Sequence, residues 1–297
     1  GVKEMKRMKT TEAVGQVLCH DITQIIPGVT KDAVFRKGHI IREEDIPVLL
    51  SVGKDSVYIW ENDETMMHEN DAAEVLYRMT ANEHMHPSDV KEGKIEVIAD
   101  TEGLLKVDRE KLKKVNAFGE MMIATRHGNT VVKKGDKLAG TRIIPLVIKK
   151  DKMQEAEKIC DGTPILKILP FTVKKAAIIT TGNEVYHGRI KDAFTPVIEQ
   201  KIAEFGAEMM FHEIFDDNDR KITDGCLRAI EAGADIVFCT GGMSVDPDDK
   251  TPLAIKNTGA EMISYGSPVL PGAMFLLSYY RKGDKVIPIC GLPGCAM

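Results

Sequence analysis

At 297 residues the chain has room for two or three domains of about 100–200 residues each. Its 43% hydrophobic and 29% charged residues are ordinary for a globular protein in water. A net charge of -5 supplies no basic footprint, which argues against nucleic acid as a partner. No apolar run reaches the roughly 18 residues of a membrane span. The six scattered cysteines have no paired metal spacing and suit reduced thiols, so the expected location is the cytoplasm.

In chain order, Thr11 to Ile22 leads to a turn at Pro27-Gly28, and Phe35 to Ile41 reads as a hairpin edge. A helix is expected over 43–52, where Ile46, Leu49 and Leu50 share a face and Gly53 stands at the C-terminal cap. Ser56 to Trp60 reads as a strand, and nothing in this opening region carries chemistry by itself. Residues 68–80 repeat apolar positions at helical spacing. The stretch 81–89 reads as a mobile linker; its His84 and His86 lack a third ligand for a metal. From Lys94 to Ile148 the period shifts towards two, with turns expected at Gly103, Asn129 and Gly135-Asp136. A short helix over 152–160 follows, and Pro170 makes a boundary. The expected division is an opening segment at 1–66, a β-rich module at 67–150, a helix and linker at 151–172, and a last domain at 173–297.

In that last domain, strands alternate with helices in a way that implies right-handed crossovers. The expected fold is α/β: a three-layer domain with a mainly parallel sheet, preceded by a β-rich α+β N-terminal region. Ligands bind such sheets at the carboxyl ends of strands. Three polar loops fall there, Thr181 to Glu184, Asp216 to Asp219 and Gly241 to Asp249. In the third, Gly241 and Gly242 let backbone N–H groups approach an anion, Ser244 adds a hydroxyl, and Thr251-Pro252 reads as an N-cap and first helical residue. Phosphate is the natural guest. Asp246, Asp248 and Asp249 would repel it unless a hard cation such as Mg²⁺ intervenes. Farther on, 268–272 reads as a loop and 273–290 as a hairpin. The glycine loop at 291–294 would ordinarily open a helix, so the natural chain is expected to continue past Met297.

Together, Thr181-Gly182-Asn183-Glu184-Val185, Asp216, Gly241-Gly242-Met243-Ser244, Asp249, Pro271-Gly272 and Gly291-Leu292-Pro293-Gly294 resemble the molybdopterin-binding domain shared by molybdopterin molybdotransferases and adenylyltransferases. The resemblance covers roughly 173–297. Glu12 to Leu18, Lys37 to Arg42 and Gly53 to Val57 also resemble the opening of a molybdotransferase. It implies that Gly241, Gly242 and Ser244 hold the terminal phosphate of molybdopterin or its adenylylated form, with Thr181 and Gly182 among the other cofactor-binding residues. It implies that Asp216 and Asp249 handle Mg²⁺ as catalytic and metal-binding residues beside Glu184, and that Pro271, Gly272, Gly291, Pro293 and Gly294 line the pterin side. A homo-oligomer is implied as well.

The chain departs from that pattern in places. No Ser-Ala-Met-Asp-Gly-Tyr segment follows Pro27, and Gly266, Leu270 and Ala273 stand where lysines are usual. Asp246 replaces a glycine, and Asp192-Ala193-Phe194 replaces Asp-Ser-Asn. Losing those cations weakens the case for molybdate handling. Three readings stay open: a molybdopterin-binding protein that, if catalytic, transfers molybdate; a metal-dependent pyrophosphatase of ADP-ribose type, implied because Asp248-Asp249-Lys250-Thr251 resembles the acidic loop of the competence and damage-inducible family; and a non-catalytic cofactor carrier or sensor.

Overall fold

The period-two stretch at Lys94–Ala99 buries Ile95, Val97 and Ala99 while its other residues face outward or partly so, which is the signature of a strand with one packed face. The computed structural model describes residues 5–26, 30–60, 65–244, 246, 249–266, 270 and 272–294. It divides into a unit of Gly1–Pro170 and a unit of Phe171–Met297.

In the first unit every strand pair is antiparallel. One core gathers Leu18, Ile22, Ile41, Leu49 and Ile59. A second forms where helix Glu69–Thr80 lays Ala72, Leu76 and Met79 among Ile95, Val97, Leu138 and Ile143. That helix starts at His68, whose Nδ1 accepts the Asn70 N–H at 3.1 Å.

Several expectations change here. The stretch read as a linker contains strand Met85–Pro87, paired with Lys94–Ala99. Gly103 belongs to a strand, not a turn, and a Cβ there would stand 2.4 Å from the Leu169 carbonyl oxygen. The period-two stretch that begins at Lys94 ends in two separate strands, Lys137–Ile143 and Val147–Lys149. Helix Arg109–Asn116 escaped notice because it is nearly all polar, burying only Val115; Asp108 caps it by accepting the Lys111 N–H at 3.0 Å.

The second unit runs β1 (Lys175–Thr181), α1 (Asn183–Tyr186), α2 (Phe194–Ala203), β2 (Glu208–Phe215), α3 (Asp219–Glu231), β3 (Ile236–Thr240), α4 (Thr251–Asn257), β4 (Glu261–Tyr265), β5 (Leu276–Lys282) and β6 (Lys285–Leu292). Its six-stranded sheet has the order β2-β1-β3-β6-β5-β4. The pairs β1·β2, β1·β3 and β3·β6 are parallel, whereas β5·β6 and β4·β5 are antiparallel. The sheet is therefore mixed: three of its five pairs are parallel, and the β6-β5-β4 end is antiparallel. The reason is local: Gly283 and Asp284 turn β5 straight back into β6, and a connection that short can only give an antiparallel pair. Ala177, Ile179, Val237 and Cys239 pack with Ile222, Cys226 and Ala229 of α3 and Ala254 and Ile255 of α4. Ala176 and Phe238 pack with Ile198 and Ile202 of α2.

Register fixes what matters for function. Thr181 pairs with Phe215, Thr180 with Thr240 and Thr240 with Leu292, so β1, β2, β3 and β6 end level with one another. Because β5 runs opposite to β6, with Leu276 opposite Gly291, the residues that precede Leu276 reach the same edge.

Candidate functional site

The residues following those strand ends form a rim. At its centre Gly241 and Gly242 both take positive φ, +81° and +58°. A Cβ at Gly241 would lie 2.1 Å from the Thr181 carbonyl oxygen, and one at Gly242 would lie 2.7 Å from the Thr251 hydroxyl. The backbone has no room for any other residue at Gly241. Two buried hydroxyls hold it in place: Thr251 Oγ1 donates to the Gly241 carbonyl at 2.8 Å, and Thr181 Oγ1 donates to the Thr240 carbonyl at 3.0 Å. The two hydroxyls are 3.2 Å apart. Thr251 is thus not the N-cap expected from sequence. Lys250 takes that position, and the Thr251 side chain is turned down onto the glycine loop.

Met243 then drives its side chain into the core against Gly291, where a Cβ would meet its sulfur at 2.6 Å. With the loop pinned on this side, the N–H groups of Gly242, Met243 and Ser244 donate to no described residue. Such a run of unspent donors is able to receive an anion. Replacing Thr251, which is 0% exposed, by valine keeps the shape but strands the Gly241 carbonyl. A loss of about 1–3 kcal/mol is expected in urea unfolding.

The carboxylates stand on loops at the same edge of the sheet. Asp216 follows β2, where Lys221 Nζ donates to its Oδ2 at 3.1 Å while its Oδ1 is buried with no partner. Asp249 follows the glycine loop and accepts the Ser244 hydroxyl at 2.7 Å. The Ser244 hydroxyl is therefore engaged by Asp249, and the Asp246 N–H reaches Ser244 Oγ at 3.3 Å. Glu184 sits in α1, exposed, not in an open loop. Gly182 donates its N–H to the Phe215 carbonyl at 3.2 Å, and Asn183 and Asp217 exchange bonds of 3.4 and 3.2 Å, tying the first two loops together. Gly272, with φ +95°, closes a turn into the Phe275 N–H at 3.0 Å, while Pro293 is buried and Gly294 exposed behind β6. Pro271 and Asp248 lie outside the described residues. Among the described residues no three His, Cys, Asp or Glu side chains gather as a metal cluster.

Two contributors were missed from sequence. Lys221 supplies a cation to the rim, five positions after Asp216 across the strand–helix junction, a spacing that could have flagged it. Thr240, 1% exposed, ends β3 with a hydroxyl that has no partner, and only the sheet register reveals it. The Cys226 contact and burial push Cys239 well up, and burial pushes Cys290 up to about 12.

Asp192, in the segment that departs from Asp-Ser-Asn, anchors the start of α2. It accepts the Thr195 hydroxyl and the N–H groups of Phe194 and Thr195 at 3.0 and 3.1 Å, with His212 Nε2 at 3.7 Å. Burial alone would raise its carboxyl; those hydrogen bonds and His212 outweigh it and hold it below the usual range. A depressed folded-state value gives stability that is present above the unfolded value near 3.9 and is lost as pH falls through the folded one. Asp192→Asn should therefore lower the urea midpoint near neutrality, with the difference from the parent closing below about pH 3.

Residues 177–297 match the family profile described as "Probable molybdopterin binding domain". This part of the chain belongs to the molybdopterin-binding domain family. Residues 7–61 match a second profile, described as a domain of unknown function. The chain is 28% identical over 110 residues to a competence-damage inducible protein of Bacillus thuringiensis (strain Al Hakam), covering 37% of this chain and 26% of that protein. It is 32% identical over 85 residues to one from Bacillus velezensis, covering 29% of this chain and 20% of that one. The chain thus spans about a quarter or less of the length of these curated relatives. Among solved structures, the tungsten cofactor synthesizing protein MoaB from Pyrococcus furiosus superposes with a TM-score of 0.38 at 21% identity, covering 42% of this chain and 84% of that one. The molybdopterin-binding domain contains the whole rim, from Thr181 to Gly294. No helix among the described residues is long and apolar enough to cross a membrane.

Proposed function

We propose that the molybdopterin-binding domain grips the terminal phosphate of molybdopterin, or of its adenylylated form, as part of molybdenum cofactor biosynthesis in the cytoplasm. The observation that carries this reading is the Gly241-Gly242 loop, pinned from behind by Thr181 and Thr251 with three backbone donors facing away from any described partner. Ser244 belongs to the same cradle, and Gly182 sets the neighbouring loop. Mg²⁺ fits beside it on one count: the buried, unpartnered Asp216 Oδ1 is an acceptor that wants a cation or a donor. Asp216 and Asp249 would hold the ion, which would offset carboxylate–phosphate repulsion and supply Lewis acidity at the pyrophosphate. Glu184 supplies further negative charge at the rim, and Gly272, Gly291, Pro293 and Gly294 shape the side that takes the pterin.

Equilibrium binding of molybdopterin to the intact protein, with and without Mg²⁺, tests this. Saturable binding strengthened by Mg²⁺ is expected; a folded sample that binds none would overturn it.

Leu270, 81% exposed, supports a second reading. An apolar tip in place of a cation gives nothing to stabilise molybdate or a leaving phosphate, so the protein would hold the cofactor without turning it over. Tight binding with no release of adenylate in the presence of molybdate would favour this carrier role. Molybdate-dependent release would favour transfer, and metal-dependent release from ADP-ribose the pyrophosphatase.

A further inference from the structure

The opening region, to which the sequence assigned no chemistry, lines a cavity of about 720 Å³ within the first unit. Cys19, His20, Lys37 and Asn70 are its buried or half-buried lining, and Arg36 and Lys91 stand exposed at its edge. Its acids are partly spent. Asp21 accepts the Lys37 backbone N–H at 2.8 Å, and the Lys37 ammonium pairs with Glu69, itself 7% exposed. Glu92 remains at the edge, in a turn with φ +49°. Among the described residues neither Arg36 nor Lys91 forms an ion pair through its side chain. Burial pulls the Lys37 amine down although Asp21 and Glu92 act to raise it.

His20 adds an independent sign. Its Nδ1 lies 3.2 Å from the Asp21 carbonyl, to which it donates, which leaves Nε2 as the acceptor. That Nε2 is buried and has no partner. A stranded acceptor beside uncommitted cations calls for a guest that offers both a hydroxyl proton and anionic oxygens. A phosphate monoester, which titrates between one and two charges near pH 6, does both. Arginine matches its oxygens in a fork, and lysine meets them as a point charge. The volume favours a whole small molecule over a bare ion, since ligand pockets run to about 300–1,000 Å³. Tyr58, 44% exposed on the wall and edge-on to His20 at 5.8 Å, offers a ring surface for the rest of it.

We propose that this cavity is a second ligand site, taking a small phosphomonoester whose phosphate is held by Arg36, Lys91 and Lys37 and meets His20 Nε2. The site lies wholly in the first unit and stands whether or not the second binds molybdopterin.

The test is NMR of the His20 ring signals in the intact protein, titrated separately with adenosine monophosphate and inorganic phosphate. Saturable shifts are expected with both, the nucleotide acting at least about tenfold lower in concentration. Replacing both edge cations, Arg36→Ala with Lys91→Ala, should weaken the nucleotide by about tenfold or more; both positions are exposed, so the fold should persist. Unmoved His20 signals, or shifts indifferent to the double substitution, would overturn the proposal. Equal potency of phosphate and nucleotide would overturn the assignment to a phosphomonoester.

Discussion

Gly241→Ala is expected to cost about 2–5 kcal/mol of stability and to abolish anion binding at the rim. Two effects add. The left-handed conformation, φ +81°, costs an L-residue about 1–2 kcal/mol. The new methyl would also stand 2.1 Å from the Thr181 carbonyl oxygen, a backbone atom that cannot swing away. Relief requires β1 and β3 to part at their ends or the loop to lift off its threonines, and either displaces the N–H groups of Gly242, Met243 and Ser244. Gly259→Ala serves as the control. It has a similar φ of +86° but nothing within 4 Å of the added carbon, so it should cost only about 1–2 kcal/mol. Urea unfolding of both variants, together with titration of a phosphate-bearing ligand, separates strain from close approach. Equal losses in the two would show that the approach of Thr181 has no energetic weight.

Asp216→Asn should remove the Mg²⁺-dependent part of ligand affinity, at least about tenfold, while leaving the fold intact. In the free protein the substitution breaks only the ion pair with Lys221, whose side chain is 52% exposed, and exposed pairs contribute about 0–1 kcal/mol. The carboxylate's second oxygen, buried without a partner, is what the cation would use. Measuring ligand affinity against Mg²⁺ concentration in both proteins checks this. An unchanged Mg²⁺ dependence in the variant would remove Asp216 from the metal site.

Much of the second unit could be read from residue order. Its strands and helices alternate as expected, because β-branched runs and helical apolar spacing are local signals that burial then respects. The gathering of Thr181, Asp216 and Gly241 at one edge was also legible, since parallel strands joined by helices must all end on the same side. The polar helix Arg109–Asn116 and strand Met85–Pro87 were not. The helix exposes most of its surface, and the strand is too short and polar to show a period before its partner is known.

The sequence by itself determined that a strand, a glycine pair and a helix start would follow one another at this edge, because glycine's conformational freedom and the strand–helix alternation are written residue by residue. Only the tertiary structure decided what each side chain does there. Thr251 latches the loop instead of capping its helix, Ser244 is engaged by Asp249, and Lys221 neutralises half of Asp216. It alone brought His20, Arg36 and Lys91 around one cavity, across more than fifty positions of chain. Such contacts depend on strand register and on which polar atoms are left over once every neighbour has packed, and neither quantity exists until the chain has folded.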